Sequence, residues 1–259
     1  MKPKPEYVSS SEGAKLLRMD RQRFFYYVET RNIRILPGET KRKNRYNYED
    51  IVAVKKELGI GEGVPTIVDW VGPADVTSTV ALDFLVYQEA IIADINHYVS
   101  WVRKNPHISL AAFDANDRKT VLAYVALLPL PEATILEVLR GKRTEMGIQP
   151  EEIESYERPG GYTLLVESAV SHPDHPEKLG AVLKGLTDYW CEQYPQRYID
   201  KIYAQSVSNK GDILIQKLYF AARYDIAETA HMLDLKRPGA SRLIRRFQEC
   251  LKSRSEDQQ

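Results

Sequence analysis

The chain has 259 residues, with 43% hydrophobic and 28% charged residues, enough for one small and one medium globular domain, each with its own core. No run approaches the ~18 consecutive apolar residues of a membrane helix, and the first residues, MKPKPEYVSSSEG, lack the apolar core of a signal peptide. The total of 36 Lys/Arg against 36 Asp/Glu hides a split: residues 1–58 carry 14 against 8, a net of +6, leaving 22 against 28, a net of −6, for residues 59–259. Such asymmetry predicts that the basic part meets a polyanion. Two cysteines, Cys191 and Cys250, both in helical patterns, imply neither a disulfide framework nor a zinc site. A reducing, cytoplasmic setting is expected.

In chain order, Ser9 and Glu12 stand at capping-box spacing before a short helix that buries Ala14 and Leu17. Asp20 caps a second helix over residues 21–31, where Phe24, Tyr27 and Val28 form one apolar stripe. Gln22 and Tyr26 fall on its opposite face, flanked by Arg23 and Phe25, and Asn32 ends it in a left-handed conformation. IRIL, a PGET turn and KRKNRY then predict a hairpin with one basic strand. Asn47 caps a third helix with Ile51, Val54 and Leu58 buried.

RFFYYVETRNI resembles the TLRYYExxGL segment of MerR-like and excisionase-like winged helix-turn-helix regulators, and NRYNYEDI resembles their RYxxxDI segment. One extra residue lies between Tyr27 and Ile33, and Asn32 replaces the usual Gly. The resemblance covers residues 5–60 and implies a DNA-binding domain over 1–60. Gln22, Arg23 and Tyr26 would face the major groove, while Lys41, Arg42, Lys43 and Arg45 touch phosphate.

A Gly-rich link over residues 59–65 leads into alternating strands and helices. Strands are expected at 66–71, 108–113, 121–128, 162–170, 202–205 and 227–235. Helices are expected at 74–84, 89–105, 177–194, 212–222 and, as an amphipathic tail, 241–252. Residues 132–158 read as a polar helical excursion whose role, a lid or a dimer arm, the sequence leaves open.

This order is similar to the GNAT superfamily of N-acetyltransferases. DANDRKTVLAYVALLPL resembles its second and third strands, GYTLLVESAVSHPDH its central strand, and KLYFAARYDIAE its late LYxxxGF segment. The implied fold is α+β: a small winged helix-turn-helix followed by a GNAT-like mixed, mainly antiparallel sheet flanked by helices. That second domain spans 66–238, with a C-terminal helix and tail over 239–259.

The resemblance implies acetyl-CoA as cofactor, its pyrophosphate held by backbone N–H groups at a helix start. Lys178, Leu179, Gly180 and Ala181 fall in that turn, but Pro176 removes a donor, Glu177 adds negative charge and Lys178 stands where a Gly is usual. Backbone N–H of Ala169 or Val170 would polarise the thioester carbonyl. Tyr219 would protonate the leaving thiolate, and Glu167 would serve as base if its side chain faces the cleft, which strand alternation leaves open. His172 and His175 make an HxxH interrupted by prolines, with no third ligand nearby, so no metal site is expected.

The combined expectation is a DNA-binding bacterial transcription regulator whose second domain acetylates an amine or protein lysine, or senses acyl-CoA. Double-stranded DNA is its expected partner, a homodimer its expected assembly, and no membrane is involved. The alternatives are a plain N-acetyltransferase with a protein-binding N-terminal module, and an inactive GNAT scaffold used for dimerisation.

Overall fold

The computed structural model describes residues 6–17, 19–40, 43–57, 64–87, 94–239 and 241–256. Lys41, Arg42, Leu58 and the glycines of the link lie outside them. The chain divides into two compact units, 1–64 and 65–259. Among the described residues no helix is long and apolar enough to cross a membrane.

The first unit runs β1 (Tyr7–Ser9), α1 (Ser10–Leu16), α2 (Arg21–Thr30), β2 (Ile35–Leu36), β3 (Arg45–Asn47) and α3 (Tyr48–Glu57). Its local signals act as the residues dictate. Ser9 and Glu12 form a reciprocal capping box, Asp20 accepts from Arg23 N, and Asn47 Oδ1 accepts from Asp50 N at 3.0 Å. Asn32 takes φ 51° just past α2. The predicted hairpin forms, with Ile35 opposite Tyr46, and β1 adds a third strand on the far edge of β3. Phe24, Val28, Ile33, Tyr46 and Ile51 fill the core. Helices α1 and α2 meet closely at Gly13, where a Cβ would stand 2.5 Å from the Phe24 ring.

The second unit is a mixed, mostly antiparallel seven-stranded sheet flanked by helices. Its elements are β4 (Thr66–Trp70), α4 (Val76–Tyr87), α5 (Ile95–Lys104), β5 (Ser109–Asp114), β6 (Val121–Pro129), α6 (Glu132–Leu139), β7 (Gly160–Ser171), α7 (Lys178–Gln193), β8 (Arg197–Gln205), α8 (Asn209–Leu218), β9 (Ala221–Ala222), β10 (Ala230–Asp234) and α9 (Arg242–Glu256). The strand order is β4-β5-β6-β7-β8-β10-β9, and only β7 and β8 pair in parallel. One face buries Trp101, Phe113, Leu128 and Leu165 among α4, α5 and α6. The other buries Val125, Leu164, Leu186 and Trp190 beneath α7 and α9.

Three expectations need correction. The helix predicted at 212–222 ends at Leu218, because Tyr219 turns left-handed at φ 61° and Ala221–Ala222 pair with β10 instead. Residues 132–158 are α-helical only over Glu132–Leu139. After α6 the chain folds back in two short 3-10 turns, and Ile148 and Ile153 are buried. The indole of Trp101 donates to Ile148 O at 3.1 Å and Asn105 Nδ2 donates to Glu154 O at 2.8 Å, fastening the segment to α5. Cys191 and Cys250, whose number and positions imply no disulfide framework, form a disulfide with Cα atoms 6.1 Å apart. The packing of α9 on α7 brings together two residues 59 apart in sequence.

Candidate functional site

The parallel pair β7/β8 holds together only in its first half. Its last registered partners are Leu165 and Tyr203; β7 then continues to Ser171 while β8 stays with β10. The diverging strands open a cavity of about 910 Å³, walled by the second half of β7, the end of β8, and α7, α8 and α9.

The freed strand edge supplies backbone donors. His172 N donates to Leu122 O at 2.8 Å, so it points at β6. Alternation turns the N–H groups of Ser168 and Val170 the same way, and those of Ala169 and Ser171 toward the gap. Of the two expected carbonyl-polarising donors, Ala169 therefore faces the cavity with its N–H and Val170 does not.

A bulge decides the neighbouring side chains. On β6, Ala126 pairs with Ser168 while the next residue, Leu127, pairs with Val166, so Glu167 is an extra residue in β7. Glu167 and Ser168 consequently both reach partners from the α4/α5 face. Tyr98 Oη donates to Glu167 Oε1 at 2.9 Å, and Ser168 Oγ donates to Asp83 Oδ1 at 3.0 Å. Tyr124 Oη donates to the other oxygen of Asp83. The refolded segment after α6 brings Glu145 to the same wall.

Three carboxyl groups, Asp83, Glu145 and Glu167, thus share one end of the cavity. Burial raises Asp83 to about 6, against opposing hydrogen bonds from Tyr124 and Ser168. Glu145 is pushed up to about 7 by burial and by Asp83. Glu167 lies well above the usual carboxylate range, first through burial and then through Glu145 and Asp83. Burial likewise raises the Tyr98 phenol, reinforced by Glu167. Among these groups only Glu167 stood out in the sequence. Asp83, Tyr98 and Glu145 come from three other elements, and no spacing linked them.

Other expected site residues sit apart. Tyr219 caps α8, is 61% exposed, and is not part of the cavity wall, which Leu218 and Phe220 form on either side of it. Leu179 lines the cavity, while Gly180 is exposed at the start of α7, with no atom within 4 Å of where a Cβ would be. In that turn, Asp174 N donates to His172 Nδ1, His175 N to His172 O, Lys178 N to His175 O and Gly180 N to Glu177 O. Pro173 and Pro176 have no N–H, and Lys178 Nζ donates to Thr66 Oγ1 at 2.6 Å. With these four donors spent, two prolines in the turn and Glu177 beside them, the turn is poorly suited to a pyrophosphate. His172 and His175 serve to shape it.

In the first unit, Gln22, Arg23 and Tyr26 lie on the exposed side of α2, with Tyr26 62% exposed. Lys43 and Arg45 are exposed on the hairpin, where Lys43 pairs with Glu39.

No protein-family model and no curated protein matches the sequence. Solved structures do align. A ribosomal-protein-alanine N-acetyltransferase of Brucella melitensis biovar Abortus 2308 matches at 15% identity and TM-score 0.38, over 61% of this chain and 94% of that one. The loading GNATL domain of CurA from Lyngbya majuscula matches at 13% and 0.37, over 71% and 82%. The NatC complex bound to Gag peptide and CoA matches at 8% and 0.41, over 66% and 98%. At such scores the likeness carries no weight by itself, and the functional reading rests on the cavity.

Proposed function

We propose that the larger unit is an N-acyltransferase that moves an acyl group from a thioester to a primary amine. The observation that carries this is the strand separation after Leu165, which sets a freed backbone donor, Ala169 N–H, beside a half-buried carboxyl, Glu167, in one cavity. The GNAT-like strand order read from the sequence agrees with it.

The three carboxyl groups suit a protonated amine, whose charge offsets the burial and, for Glu145 and Glu167, the repulsion that hold their proton affinities high. Glu167 accepts one proton from the ammonium, with Tyr98 orienting it. The amine nitrogen then attacks the thioester carbonyl carbon, and Ala169 N–H stabilises the oxyanion. Collapse breaks the C–S bond, and the departing thiolate takes the second proton from nitrogen. The products are an amide, a free thiol and one proton passed to solvent. Coenzyme A, the carrier implied by the family resemblance, would lie with Leu179 and Gly180 at the start of α7, but the spent donors there disfavour its pyrophosphate.

Thiol release from an acyl thioester with a panel of alkylamines and peptide amines tests the reading. Glu167→Gln should lower the rate by about 10²-fold or more, the usual worth of a positioned base. Release that never depends on amine, or a full rate in Glu167→Gln, would remove this mechanism.

A second reading concerns the first unit. Its net +6 over residues 1–58 and the exposed Gln22, Arg23 and Tyr26 on α2 favour DNA as its partner, as in a winged helix-turn-helix. The chain would then be a regulator carrying an acyltransferase-like unit. Among the described residues, Arg45 is the hairpin cation best suited to phosphate, since Lys43 is engaged by Glu39.

A further inference from the structure

The cavity has a second end, chemically unlike the carboxyl cluster. Beyond Ala169 it runs between the sheet and the helices α7 and α9, where Leu186, Trp190, Ile199, Leu235, Ile244 and Phe247 line it. Each of these is 8% exposed or less, so this end is interior rather than surface. Its charged lining residues, Asp83, Glu145, Glu167 and Lys210, lie at other parts of the wall. The hydroxyl of Thr187 donates to Leu183 O within α7 and offers little to a polar guest. Interiors are normally packed to crystal-like density, so an apolar hollow joined to a cleft is space kept for an apolar guest.

Resting on the acyltransferase reading, we propose that the acyl group is a medium or long aliphatic chain lodged between α7, β8 and α9. A carbonyl held at Ala169 N–H has the carboxyl groups on the α4/α5 face of the sheet and the hollow on the α7/α9 face. The amine arrives from the first side and the chain lies in the second. Recognition through the chain also fits the turn before α7, where the N–H groups of Asp174, His175, Lys178 and Gly180 are already spent. The donor is held by its tail rather than by phosphate. Transfer follows the same balance: a C–N bond forms, the C–S bond breaks, and the thiol leaves protonated.

The test uses the full chain and phosphate-free probes. Binding of straight-chain fatty acids from acetate to dodecanoate is measured by displacement of a fluorescent fatty acid, and thiol release is followed with N-acetylcysteamine thioesters of the same chains. Affinity should rise about fourfold per added methylene until the hollow is full, the equivalent of ~0.8 kcal/mol each. Leu186→Phe, and Leu243→Trp at the partly exposed rim, should each shift the preferred chain to a shorter one. Chain-dependent binding without transfer to any amine supports the acyl-chain site and removes the enzymatic reading. Transfer of acetyl with no gain for longer chains, or a profile unmoved in both folded variants, overturns the chain proposal and leaves the transferase.

Discussion

Glu167 owes its place to one inserted residue. Without the bulge at Ala126/Leu127, alternation along β7 would not give both Glu167 and Ser168 partners from the α4/α5 face. The cluster it joins has a pH signature. A carboxyl raised in the folded state favours folding while protonated; that contribution is complete below its unfolded value near 4 and is lost as pH rises through the folded value. With Asp83 at about 6 and Glu145 at about 7, thermal stability should fall between about pH 4 and 7. Glu145→Gln should flatten the upper part of that decline, and an unchanged melting profile would show that the cluster does not titrate there. Amine binding should strengthen over the same window as the carboxylates ionise. Tyr219 raises a different residue-scale question, because φ 61° is a conformation that favours glycine. Tyr219→Gly should stabilise the fold by about 1 kcal/mol in denaturant titration while thiol release stays unchanged. A large loss of release would return Tyr219 to the chemistry.

At the scale of elements, α7 is the wall that the apolar end of the cavity depends on. It approaches the sheet at Gly185, where a Cβ would stand 2.9 Å from Leu110 Cδ2 and 3.1 Å from Val68 Cγ1. Gly185→Ala should therefore cost about 1–3 kcal/mol, the range for overpacking, in spite of alanine's better helix propensity. A stabilised variant would mean that α7 sits less closely on β4 and β5. The helix boundaries were legible because caps are local: Ser9 with Glu12, Asp20 and Asn47 each act within three residues. The fold-back after α6 was not legible. Its anchors, Trp101 and Asn105, lie tens of residues away and touch its backbone carbonyls, which carry no sequence signal.

For the whole molecule, the charge split is the feature that joins two units of different chemistry in one chain. Net +6 in the first 58 residues predicts retardation of duplex DNA at low salt, weakening steeply as salt rises through counterion release. Arg23→Glu combined with Arg45→Glu should abolish that shift while leaving thiol release intact. No retardation by the full chain at low salt would remove the DNA reading and favour a plain acyltransferase with a protein-binding module.

The sequence by itself determined the split of charge, the caps and apolar stripes of the first unit, and the strands and most helices of the second. These depend on contacts a few residues long or on periodicity. Tertiary structure alone decided where β7 and β8 part, which face the bulge gives Glu167, and that Asp83, Tyr98 and Glu145 meet it. It also decided that Tyr219 stays out of the cavity and that α9 closes an apolar hollow over α7. Each of those outcomes depends on register or on packing between distant elements, and neither is written in the spacing of neighbouring residues.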